Sequence, residues 1–98
     1  MTFNDTHRVE ETTFEGDGGS SITGTAVYDY TVEECLDADH GGRDGLEVTH
    51  CELAWFELSG LNLWRGQIVD MTDKATVARV EESVRDAMQE TLDDGEAI

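Results

Sequence analysis

The chain predicts an α+β fold, an antiparallel meander of three or four strands packed by one C-terminal α-helix. Three observations carry the expectation. Apolar residues alternate from Ile22 to Val32, a second β-rich stretch spans Leu46 to Leu58, and an apolar stripe at helical spacing closes the chain. At 98 residues there is enough chain for one hydrophobic core.

The first twenty residues show little pattern. Phe3, Val9 and Phe14 stand alone among polar neighbours, and Gly16-Asp17-Gly18-Gly19-Ser20-Ser21 has linker composition. They read as a flexible N-terminal arm over 1–20, ahead of a domain at 21–94 and an acidic tail at 95–98. Ile22, Gly24, Ala26, Tyr28, Tyr30 and Val32 then share one face of a strand. Thr23, Thr25, Asp29, Thr31 and Glu33 share the other, with Val27 as the exception. Gly24 marks a bulge or a close backbone approach.

Residues 37–45 make a loop. The second strand, 46–58, breaks the alternation. Leu46, Val48, Ala54, Phe56 and Leu58 have one parity, while Cys51, Leu53 and Trp55 have the other. A strand apolar on both faces is covered twice or meets a partner. Ser59-Gly60 gives a tight turn, and residues 61–71 return as a short strand pair, or as a strand and loop around Gly66. Val77, Val80, Val84, Ala87 or Met88, and Leu92 then recur at helical spacing. Thr72 or Asp73 stands at the start, Glu81 four residues before Arg85, and Gly95 at the stop. One helix covers one face of a sheet, so the other face must be polar or find a partner.

Twenty-three acids against six bases give a formal net charge of −17, spread along the whole chain. Self-repulsion on that scale opposes the compact state, and molar salt, with a Debye length of about 3 Å, screens it. The bases are one lysine, Lys74, and five scattered arginines. Scarce lysine beside abundant acid predicts a salt-adapted protein that favours high salt. Without a basic stripe, direct nucleic-acid binding is not expected. The chain has no apolar run of membrane-spanning length and no signal-peptide core, which points to a cytoplasmic or virion setting.

Candidate sites are few. Cys35, His40, His50 and Cys51 are zinc-type ligands. A hairpin turning near Gly41 pairs Leu36 with Leu46, however, and sets Cys51 opposite Thr31. The two sulfurs then lie ~13 Å apart along the strands, too far for one metal or a disulfide. Asp37 and Asp39 begin a calcium-type loop, but Gly41 and Val48 stand where two ligands belong. His40, His50, Cys51, Asp37 and Asp39 are therefore the metal candidates, and no cofactor is expected. No nucleophile elbow, phosphate loop or metalloprotease helix is present, so an enzyme is not expected. Trp55, Phe56, Leu61, Leu63 and Trp64 concentrate apolar mass on one hairpin. They are the candidate interface, for a protein partner or for self-association.

The stretch Gly45-Leu46-Glu47-Val48-Thr49-His50-Cys51-Glu52-Leu53, the turn near Gly60 and the acidic terminal helix resemble small uncharacterised proteins of haloarchaea and their tailed viruses, over residues 22–92. That resemblance implies no site residues. The reading that follows is a non-enzymatic, halophilic protein acting through protein–protein contacts, as a viral accessory or virion component. The alternatives are a metal-binding module and an acidic nucleic-acid mimic that inhibits a DNA-binding protein.

Overall fold

A computed structural model describes residues 2–16, 19–34, 45–96 and 98. Four strands, β1 (Thr2–Glu15), β2 (Ser21–Glu34), β3 (Leu46–Leu58) and β4 (Leu61–Trp64), form one antiparallel sheet in sequential order. Helices α1 (Arg65–Met71) and α2 (Lys74–Asp93) follow. The expected α+β meander with a C-terminal helix is the observed architecture.

The N-terminal arm is a correction. Residues 2–15 are not an appendage but a 14-residue strand paired along β2. A bulge hides its periodicity. Val9 pairs with Ala26 and Thr12 with Gly24, so Glu10 and Glu11 together oppose Thr25, and Glu11 takes φ +55°. Such an extra residue reverses the alternation. Phe3, His7 and Val9 face the helices before the bulge, and Thr12 and Phe14 after it. Phe14 is fully buried, edge-on to Phe56 at 5.3 Å between centroids.

The mixed parity of β3 has the same cause. Val27 pairs with Trp55 but Tyr28 with Leu53, leaving Ala54 extra; Thr31 pairs with His50 but Val32 with Val48, leaving Thr49 extra. Two bulges thus bring Val48, Cys51, Leu53 and Phe56 to one face, and β3 is not apolar on both. Gly24 is a close approach. A Cβ there would collide with the Glu57 carbonyl oxygen and meet the Phe56 ring at 3.0 Å. Ser59 (φ +50°) and Gly60 (φ +83°) make the two-residue turn into β4, both in the left-handed region.

Beyond Trp64 the expected strand or loop is a helix. Gln67 accepts from the Trp64 amide (2.8 Å), and Ile68 is fully buried. α2 starts after Asp73, which makes no side-chain cap bond, and ends at Asp93, with the amide of Gly95 just beyond it donating to Leu92 O (3.0 Å). The core lies between the sheet and this helical layer. Phe14, Ala26, Tyr28, Leu53, Phe56, Ile68 and Val77 form one cluster, and Tyr30, Val32, Val48 and Met88 form a second.

Candidate functional site

Among the described residues no helix covers the sheet's other face, and the strand register lays one row of side chains across it. Arg8 pairs with Val27, Val27 with Trp55, and Trp55 with Trp64. Val27, the exception in β2's alternation, is only 4% exposed although it lies on this helix-free face. Its cross-strand neighbours Arg8 and Trp55 cover it, and Glu57 holds both in place. Arg8 donates to Glu57 through Nη1 (2.7 Å) and Nη2 (3.1 Å), and Trp55 Nε1 donates to Oε2 (3.2 Å). These bonds, Arg8's above all, hold the Glu57 carboxyl below the usual range. Trp64 is 65% exposed at the β4 end of the row. Asp29 and Glu52, directly opposed, lie further along the same face.

The five interface candidates divide. Trp55 and Trp64 stand together on the helix-free face. Phe56 is fully buried and Leu63 packs against the core cluster, so both belong to the interior and not to an exposed surface. Leu61, 65% exposed, pairs with Leu58 at the hairpin end, on the helix side.

Of the metal candidates, His40, Asp37 and Asp39 lie outside the described residues, as does Cys35. His50 is exposed on the helix-free face. Cys51 is not opposite Thr31 but opposite Tyr30, turned to the core by the bulge at Thr49. Neighbours in the chain, the two face opposite ways. Among the described residues no three histidine, cysteine or acidic side chains gather as metal ligands.

Sequence reasoning missed the polar knot between α2 and β3. Glu81, expected to pair with Arg85, is buried and instead accepts Arg65 Nε (2.9 Å) and Nη2 (3.0 Å) and the Leu53 amide (2.7 Å). Arg85 pairs with Asp86. With its oxygens committed to three donors, Glu81 acts as a clamp between helix, β3 and α1. Beside it, burial pushes the Cys51 thiol up to about 11, the Glu81 charge adds to the rise and Arg85 opposes it. Burial likewise raises the Tyr28 hydroxyl, with the Cys51 and Glu81 charges adding to the rise. The one available signal was Glu81 itself, an acid on the apolar stripe between Val77, Val80 and Val84.

A groove of about 840 Å³ separates β1 from α2, with Val9, Val80 and Val84 among its walls and His7 and Arg79 beside them. Partial burial lowers the His7 pKa. No protein-family model, curated protein or solved structure matches the chain.

Proposed function

We propose that this protein is a non-enzymatic, salt-adapted module that works through protein–protein contacts, with the Trp55–Trp64 pair on the helix-free face as its contact surface. One observation carries the reading: a tryptophan 65% exposed beside a second one, in a row whose valine is already sealed. Tryptophans in such settings dominate binding energies. Asp29, Glu52 and Glu57 share that face, so the fitting partner carries an apolar patch rimmed by arginine or lysine. We place it among the accessory or virion proteins of a haloarchaeal virus or provirus, a setting to be tested by whether its gene lies beside genes for capsid, tail or replication proteins.

The salt-adapted part draws support from the register as well as from composition. Asp29 opposes Glu52, and Glu33 opposes Glu47; like charges in those positions repel unless screened. The melting temperature is expected to rise from dilute buffer to molar KCl, and a flat profile sinks this part. For the contact surface, wild type and Trp64→Ala serve as baits under molar KCl. The substitution is expected to weaken capture by roughly 30-fold, from about 2 kcal/mol at an interface anchor, with the melting temperature unchanged. Identical captured proteins from both baits count against the tryptophan surface.

A further inference from the structure

We propose that the chain also pairs with a second copy of itself through the free edge of β1, antiparallel about a two-fold axis at Thr6, making one continuous eight-stranded sheet from two four-stranded ones. The inference is independent of the tryptophan surface, which lies at β3 and β4 across the sheet.

Among the described residues β1 is an outer strand of the sheet, paired on its β2 side only. Up to Val9 it is free of the bulge, and it carries neither proline nor lysine, two devices that protect exposed edges. Phe3 is 49% exposed there. The Thr6 amide donates to its own neighbour, Asp5 Oδ1 (2.8 Å), as a donor does when no strand lies on its side. Charge singles out the same stretch. In a chain of −17, residues 2–9 hold one acid, Asp5, and one arginine, Arg8. A second copy meets little repulsion along this line, whereas the Glu10-Glu11 bulge ends the pairing on its far side.

The sequence of the stretch fits itself in one register. With the axis at Thr6, Phe3 meets Val9 of the second copy and Asp5 meets its His7, all on the helix side. Asn4 meets its Arg8 on the other. An axis at Asp5 would set two carboxylates face to face, and one at His7 would set two imidazoles together and Asp5 against valine. A carboxylate opposite an imidazole N–H and apolar pairs directly across strands stabilise, and like charges destabilise. Each match occurs twice about the axis, so one substitution is felt at two places.

Sedimentation equilibrium in molar KCl is expected to show a dimer that dissociates in dilute buffer, where the remaining charge repels. His7→Asp sets carboxylates opposite each other at both ends and is expected to weaken the dimer by at least about tenfold. The Asp5→His/His7→Asp double variant restores the pairs and is expected to recover most of the affinity. Thermal melting of each variant, diluted to monomer, separates lost pairing from lost folding. In a Cys35→Ser/Cys51→Ser background, Thr6→Cys is expected to cross-link between copies through a short bis-maleimide, and Asp29→Cys on β2 is not. A monomer at high concentration in molar KCl overturns the proposal, as does a dimer indifferent to His7→Asp. A dimer that survives His7→Asp and is lost on Trp64→Ala assigns self-association to the helix-free face instead, and also overturns it.

Discussion

Where β3 runs past the end of β4, its edge is taken up by side chains of α2, whereas among the described residues β1 meets no such cover along residues 2–9. Gln89 imitates a strand on the β3 side, accepting from the Val48 amide (2.9 Å) and donating to the Leu46 carbonyl (3.1 Å). Glu81 takes the Leu53 amide further along. β4 pairs only with residues 55–58, so these groups would otherwise be open. An uncovered edge is a template for another strand. This fold therefore closes one edge with its own helix and, among the described residues, leaves the other open.

The largest test of that contrast is Glu81→Ala. It strips the Leu53 amide of its acceptor and leaves Arg65, a partly buried cation, without its carboxylate. Breaking a buried pair in this way costs about 3–5 kcal/mol. Urea unfolding in molar KCl should show such a loss, and Glu81→Gln, which keeps an acceptor for Leu53, about half of it. A cost below about 1 kcal/mol for Glu81→Ala would mean that the β3 edge holds without its clamp.

Gln89→Ala is expected to cost less, about 1–2 kcal/mol for two side-chain bonds to the backbone. Its local signature is sharper than its energy. In wild type the Val48 and Leu53 amides should exchange slowly, while the Thr6 amide exchanges fast in protein diluted to monomer. Gln89→Ala should accelerate Val48 and leave Thr6 as it was. Equal protection of Val48 and Thr6 in the monomer would erase the difference between the two edges.

How far sequence reached depended on where the bulges fall. β2 carries no extra residue against its neighbours, and its Ile22-to-Val32 alternation could be read directly. β1 reverses parity at Glu10-Glu11, so Phe3 and Val9 fall out of phase with Phe14 and all three stood as isolated apolar residues. β3 reverses twice, at Thr49 and Ala54, which imitates a strand apolar on both faces. Bulges are tertiary features that a period-two template cannot anticipate. α2 was legible from its stripe. α1 was not, because Gly66 and Asp70 dilute seven residues whose main fixed points are the buried Ile68 and the Gln67 side chain at Trp64. The tryptophan pair was anticipated as a hairpin feature, but its division from Phe56 and Leu63 needed the register. The Glu81 clamp joins elements 16 and 28 residues apart in sequence, beyond the reach of any local pattern.

The smallest effect concerns Cys51, which lies on the closed side next to Glu81. Its folded-state pKa is raised from 9.0 to about 11, by burial first and by the Glu81 charge second. A raised pKa means that the folded protein keeps a proton the unfolded chain gives up. The thiol's contribution to stability is thus complete below about pH 9 and is lost as pH climbs through about 11. Only the thiolate alkylates readily. In a Cys35→Ser background at pH 9, Cys51 should react at least about tenfold more slowly in the folded protein than in urea, with a folded-state midpoint near pH 11. Glu81→Gln removes the charge but not the burial, so the midpoint should fall and still stay above 9.0. A midpoint at the ordinary thiol value would show that water reaches between α2 and β3 as freely as it reaches the outer side of β1, and the two edges would then differ in outline only.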